Sequence, residues 1–437
     1  MTGAARDPAP RENARALAER VARRSYGRLV AWLTAQFGDV TLAEDALSDA
    51  FTEALRTWPD RGPPDRPEAW LAAVARRKLL SEKRRAATAA RLEPALALIE
   101  HERAAETAAG VAAAPDYRLA LMAALAHPAA PAALHAPLMA QTVLGFEAAD
   151  LASAHLVSPS AMAQRLVRAK RALRESGALF EMAAIAPPER LGAVLEAVYT
   201  AFGLAWNDRA PAHHGRTGQE TEPPRPRGRA LAEEALHLGR LIVEQQPESA
   251  EAQGLLALML YAHARRDAQR DAAGRYIPLE AQNPTQWSAE LMDEADASLA
   301  RANTLPGAGR FQLEAAIQSL HAARRLADAP REPPWRAITL RYEALLNIAP
   351  SAGVITGAAA AIAKDRGAAA AMRFLDLRRD PQLERYQPYW ATRAEVARRL
   401  GSREAVRAEA VRAYELAIGL TEDPAVRSFL LERQRGL

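Results

Sequence analysis

Apolar residues recur at three- and four-residue spacing along most of the chain, and β-branched alternation is rare. Residues 11–36 read as one helix, with Leu17, Val21, Leu29, Trp32 and Leu33 on its apolar side. Thr41 stands where it can cap a second helix, LAEDALSDAFTEALRTW, with Glu44 at capping-box spacing. Leu47, Phe51 and Leu55 are the apolar residues of its 43–58 stretch. Glu44, Asp45, Asp49 and Glu53 lie close together on the same stretch. The loop PDRGPPDRP stops it, and Pro67 opens a third helix, PEAWLAAVARRKLLSEKRR, at a position where proline costs no hydrogen bond. These elements make a first module over 11–86. Residues 87–115 are Ala-rich and weakly patterned and read as a linker. A second helical module follows at 116–177, punctuated by His127-Pro128, Pro131 and Gly145.

Ser153–Arg174, SAHLVSPSAMAQRLVRAKRALR, reads as a helix, a tight turn and a second helix. Ser158 suits an N-cap and Pro159 a first-turn position. Met162, Leu166, Ala169 and Leu173 form the apolar stripe. Ser160, Ala161, Gln164, Arg165 and Arg168 lie off that stripe, and Lys170, Arg171 and Arg174 extend the charge. No acidic residue interrupts Arg165–Arg174. A helix-turn-helix whose second helix enters a DNA major groove has this look, with early outward residues on base edges and later cations on phosphates. A solvated basic face on an ordinary helical hairpin is the alternative.

A second basic stretch holds Arg76, Arg77, Lys78, Lys83, Arg84 and Arg85, opposed only by Glu68 and Glu82. Trp70 beside it could stack on an unpaired base or simply fill a core. The acidic 43–58 helix would repel DNA but could bind a basic protein surface.

Beyond 187 the chain reads as a helical-repeat domain, 187–437, with a Pro-, Gly- and charge-rich mobile loop at 207–229. Breaks fall at Gln246-Pro247, Asn283-Pro284, Pro306-Gly307, Pro333-Pro334, Pro350, Gly367, Asp380-Pro381, Gly401 and Asp423-Pro424. Helix pairs with short breaks suggest an α-solenoid. Ala410, Tyr414 and Ala417 keep the small–aromatic–small spacing of paired tetratricopeptide helices. The expected fold class is therefore all-α: two small helical domains joined by a linker, then a tetratricopeptide-like solenoid.

Composition narrows the chemistry. Among 437 residues there is no cysteine, which excludes disulfides, thiolate zinc sites and cysteine nucleophiles. No P-loop, GxGxxG after a strand, HExxH or GxSxG occurs. His213-His214 lack carboxylates at ligand spacing. No enzyme, no metal and no cofactor is expected. The N-terminus lacks a signal-peptide core and no apolar run approaches the roughly 20 residues of a membrane span, so a cytoplasmic protein with no membrane partner is expected. The net charge of +4 lies entirely in residues 1–176, with 24 Lys+Arg against 20 Asp+Glu; the remainder is balanced.

The acidic helix, the basic helix and the helix-turn-helix, in that order, resemble the layout of sigma-70 family factors. AEDALSDAFTEALRTWP resembles the second conserved region, PEAWLAAVARRKLLSEKRR the neighbouring segment that opens the −10 element, and the helix-turn-helix the fourth region, which binds the −35 element. No third-region domain fits between 86 and 115, which is the arrangement of extracytoplasmic-function sigma factors. MAQRLVRAKRALRESG followed by a long helical extension looks like the subgroup with a C-terminal tetratricopeptide-like domain. The resemblance implies two partners, promoter DNA and bacterial core RNA polymerase, the latter through its β′ clamp and β flap. It implies that Asp45, Asp49, Phe51 and Glu53 grip the polymerase. Trp70, Arg76, Arg77, Lys78, Arg84 and Arg85, with the Pro59–Pro67 loop, would hold the melted −10 strand. Ser160, Gln164, Arg165, Arg168, Lys170 and Arg171 would address the −35 duplex. The repeat domain would control activity through a partner protein or an intramolecular contact. Ser81 and Arg77 stand where the family commonly has Asp and Asn, Leu125 and Ala126 where two cysteines are frequent, and Thr356-Gly357-Ala358 where it has Asn-Arg-Ala; Asn207-Asp208 lacks the family's following Gly and Tyr. The competing expectation is a sigma-like helical-repeat scaffold that acts by protein–protein contact without initiating transcription.

Overall fold

The computed structural model describes residues 9–89, 115–155, 157–176, 188–207, 227–326, 332–378, 380–401 and 404–437. The expected linker core, the loop after residue 207 and His213-His214 lie outside the described residues. The protein is all-α: the described residues form 19 α-helices and no strand, with one isolated bridge between Arg270 and Tyr276. It divides into two compact units, Met1–Ala205 and Trp206–Leu437.

In the first unit, α1 (Ala9–Phe37), α2 (Val40–Arg61) and α3 (Pro67–Ala89) pack on one another. Leu29, Leu33, Leu47, Leu71 and Leu79 are almost wholly buried between them. Ser25 Oγ donates to Glu68 Oε1 at 2.7 Å, tying α1 to α3. Two local expectations change. The cap of α2 is Asp39 rather than Thr41: its Oδ1 accepts from the N–H groups of Thr41 and Leu42 at 2.8 and 3.1 Å. An aspartate one residue ahead of the helix reaches both orphan donors, so the helix starts at Val40 and Glu44 is released from a capping role. Pro59 does not stop α2. It sits in the last turn, and the helix ends at Gly62, whose φ of 79° only glycine adopts freely.

The same unit continues with α4 (Arg118–Leu125), α5 (His135–Leu144), α6 (Ala148–Ala154), α7 (Pro159–Glu175) and α8 (Pro188–Asn207). The His127-Pro128 turn is held from within: His127 Nδ1 accepts from the N–H of Ala129, and His135 Nε2 bonds the carbonyls of His127 and Ala130. Arg190 donates to the carbonyl of Ala123 at 3.2 Å and so ties α8 to α4. Most of α8 therefore groups with the first unit, although the sequence pattern starts the repeats there.

The second unit comprises α9 (Arg227–Gln245), α10 (Ala250–Ala264), α11 (Ala289–Thr304), α12 (Arg310–Ala322), α13 (Trp335–Ile348), α14 (Ala352–Asp365), α15 (Ala368–Asp376), α16 (Pro381–Glu384), α17 (Gln387–Arg399), α18 (Glu404–Leu420) and α19 (Pro424–Arg435). Every break named from the sequence falls between two of them or, at Pro381 and Pro424, on the first residue of the next. Packing runs largely between near neighbours: α10 on α11 and α12, α13 on α14, α17 on α18, α18 on α19. Tyr414 and Ala417 are buried in one cluster with Ala394 and Leu430, and Ala410 is buried as well. One stretch is irregular. Residues 265–288 carry three short 3-10 turns, and Arg324 clamps them by donating to the carbonyls of Leu279 and Glu280 at 2.8 and 2.9 Å.

Candidate nucleic-acid and protein interface

Helix α7 displays its outward residues as its pattern requires. Ser158 Oγ caps it by accepting from the N–H of Ala161 at 3.2 Å, and Pro159 occupies the first turn. Met162, Leu166, Ala169 and Leu173 are buried. Ser160, Gln164, Arg165, Arg168 and Arg171 are exposed. Helical geometry puts Ser160, Gln164, Val167 and Arg171 on one face. Val167 is 66% exposed in that row, a residue sequence reasoning passed over. Its signal was available: it is the only aliphatic interruption of the outward polar pattern between Gln164 and Arg171. His155, just before the helix, is held below the ordinary histidine range by burial and by the neighbouring Arg165.

Helix α2 turns Val40, Ala43, Ala46, Leu47, Ala50, Ala54 and Trp58 inward. Asp45 and Asp49 are exposed, and Phe51 and Glu53 are half-buried. Glu53 is paired with Arg56 at 2.7 Å and is held below the usual carboxylate range by that hydrogen bond. Leu55, one of the apolar residues of this stretch, is 47% exposed. The short Ala-rich core stripe of α2 closes without it, so an apolar side chain stands beside an acidic surface.

On α3, Arg77, Lys78, Lys83, Arg84 and Arg85 are exposed and follow one another along the last turns. Arg76 is different. It is only 8% exposed and belongs to the inward face with Leu79 and Ala75, which removes it from any outward basic strip. Trp70 is half-buried and meets Trp58 edge to face at 5.6 Å, so its ring closes the α2–α3 seam rather than standing free. Lys78 pairs with Asp49 across that seam, and Lys83 lies over the Phe37 ring at 5.1 Å.

The two basic surfaces are not remote from the acidic one. Lys170 Nζ donates to both carboxylate oxygens of Glu44, at 2.9 and 2.8 Å, and the pair is 16% and 15% exposed. Arg174 lies 3.8 Å from Asp39, the cap of α2. Nearby, Tyr26 is pushed well above the ordinary phenol range, by burial first and then by Glu44 and Asp45. The ionic character of α2 and α7 is thus partly spent on each other.

Among the described residues no group of His, Asp or Glu could hold a metal ion, and no helix is long and apolar enough to cross a membrane.

Residues 21–88 match the family model for sigma-70 region 2, which spans most of α1 and all but the end of α3. Residues 190–303 match a family of unknown function, DUF6596. The uncharacterized protein R00370 of Rhizobium meliloti (strain 1021) is 33% identical over 396 residues, covering 90% of each chain. No solved structure matches. The chain therefore belongs to one family with that Rhizobium protein, and its residues 21–88 are similar to sigma-70 region 2.

Proposed function

We propose that the protein is a cytoplasmic sigma factor of the extracytoplasmic-function type, which binds core RNA polymerase and directs initiation at specific promoters. The observation that carries the reading is a division of charge. Within a matched sigma-70 region 2, one helix offers an acidic surface and the next an exposed basic one. A protein that needed only DNA would gain nothing from the first. Asp45 and Asp49, with Leu55 between acidic and polar neighbours, form the polymerase-facing surface, the β′ clamp being its counterpart. Arg77, Arg84 and Arg85 neutralise phosphates of the opened −10 strand. Trp70 supports that surface from the seam.

Helix α7 is the recognition helix of a helix-turn-helix. Gln164 and Arg168 are placed for base edges, Val167 for a thymine methyl, and Arg165 and Arg171 for phosphates. The region around it reaches the β flap. The second unit, a tetratricopeptide-like array, controls activity through protein contact. No step requires chemistry by the chain itself.

Run-off transcription with purified core polymerase and a library of promoter fragments tests this. A sequence-specific transcript that requires the protein is expected. Failure to bind core polymerase, with no transcript from any fragment, would leave only the scaffold reading.

A further inference from the structure

We infer that the second unit carries a peptide-binding site for a partner segment that presents an apolar residue followed by an acidic one, and that residues 278–282 of the chain itself occupy that site. The inference rests on the reading above, in which this unit acts through protein contact, and names the site and the chemistry of the partner. Cations stand at the C-terminal ends of three alternate helices: Arg265 caps α10, Arg324 follows α12, and Lys364 lies in the last turn of α14. The negative ends of helices favour cations there. Two of the three sit over aromatic rings, Arg324 over Trp287 at 5.1 Å and Lys364 over Trp335 at 5.2 Å. His321 meets the same Trp335 edge to face at 5.5 Å. This ladder holds Leu279-Glu280. Arg324 donates to both of their carbonyls, at 2.8 and 2.9 Å, and Lys364 Nζ donates to the Glu280 carboxylate at 2.7 Å. Leu279 is half-buried while Glu280 reaches out to the lysine. The ladder thus reads two consecutive carbonyls and one carboxylate, features that any apolar–acidic segment offers.

The connection 265–288 is seated on the helices rather than built into their packing. At its neck the Ser288 N–H donates to the carbonyl of Ala264 at 3.0 Å, so α10 and α11 meet without help from the residues between. Ordered connections longer than about 12–15 residues are uncommon and usually functional. Of the apolar residues in this one, only Ala268 and Trp287 are buried. The hold on it is therefore largely polar, made of bonds that a competing segment can reproduce. Its fit is also incomplete: Trp287 Nε1 and Gln282 Oε1 are buried with no hydrogen-bond partner. Orphan buried groups cost free energy, so this occupant is not the best one for its seat. Farther along, the hairpin at Arg270–Tyr276 reaches the last helix. Arg270 pairs with Asp423 at 2.6 Å, across 153 positions, and Tyr276 meets the Phe429 ring at 5.4 Å. A partner that displaces 278–282 loosens this link as well, which couples occupancy of the site to the hold on α19.

The probe is a fluorescein-labelled peptide of residues 276–283, followed by anisotropy with the full-length protein. Two variants vacate the site. One replaces 266–287 by a short glycine linker across the closed neck. The other, Glu280→Lys, changes an exposed side chain and sets it against Lys364. Apparent affinity scales with the fraction of open sites, so wild-type protein should bind the peptide about tenfold more weakly than either variant. Lys364→Glu in the linker variant should abolish binding, and the Glu280→Lys peptide should restore it. A substitution that merely damaged the fold would not be rescued by a change in the ligand. Equal affinity of wild type and both variants overturns the inference. So does a linker variant with unchanged circular dichroism that fails to bind the peptide, and so does loss of binding without rescue. If the linker variant does not fold, Glu280→Lys decides alone, and no gain in peptide affinity over wild type overturns the inference. None of these readouts involves polymerase. A protein that takes up the peptide but fails in run-off transcription loses the proposed function and keeps the site.

Discussion

Gly309 precedes α12 and carries no capping side chain; the cap comes from another helix. Glu251, in the first turn of α10, accepts from the N–H groups of Phe311 and Gln312, both at 3.1 Å. These are orphan donors at the positive end of a helix, so the bonds are charge-assisted. Glu251→Ala removes both from a half-buried site. Capping losses of 0.5–2 kcal/mol and charged hydrogen bonds of 1.5–3 kcal/mol together place the cost at about 2 kcal/mol. Gln keeps one acceptor oxygen and should cost about half of that. Gly309 has φ −106° and ψ −175°, ordinary extended backbone, so a side chain there is not strained in itself. A Cβ would nonetheless lie 2.1 Å from the Glu251 carboxyl carbon. Gly309→Ala should therefore expel the carboxylate and cost about 1–2 kcal/mol, yet fall within about 0.5 kcal/mol of neutral once Glu251 is Ala. Urea titration followed by hydrogen-exchange mass spectrometry of peptides covering 305–322 measures all four corners of the cycle. Equal costs for Gly309→Ala in both backgrounds would refute the cross-helix cap.

Arg168→Ala should weaken promoter duplex binding by about 1–3 kcal/mol and Val167→Ala by less, both without change in polymerase affinity, as read by fluorescence anisotropy. Asp45→Lys should reduce co-purification with core polymerase while circular dichroism stays constant; unchanged co-purification would remove α2 from the interface. His321 is held at about 4, chiefly by burial and then by Arg265 and Arg324, so the unfolded chain binds a proton first. Its contribution is complete above the ordinary histidine pKa near 6.5 and is lost as pH falls from there towards 4. His321→Gln should flatten the decline in second-unit stability between pH 7 and 5. Glu395 adds a lower window. Burial alone would raise its carboxyl, but Arg398, Arg399 and Arg433 outweigh it and hold it at about 2. That stabilisation fades only as pH drops from about 4.5 towards 2, and Glu395→Gln should abolish the fading.

Helix positions, breaks and the buried stripe of α7 were legible in the sequence because they depend on residues three and four apart. Proline, glycine and small capping residues act over the same range, which is why each break lies between helices or at the first residue of one. Arg76 was placed outward for a related reason. On α3 the apolar stripe can bury on either of two adjacent faces, and only the partner helix chooses which. The pairing of Lys170 with Glu44 spans 126 positions, and that of Glu251 with Phe311 spans 60. Neither leaves a local trace, since each residue alone reads as a solvated charge. The sequence by itself determined where helices form and which charges they carry. Tertiary structure decided which of those charges remain available, because an ion pair depends on where two distant helices come to rest.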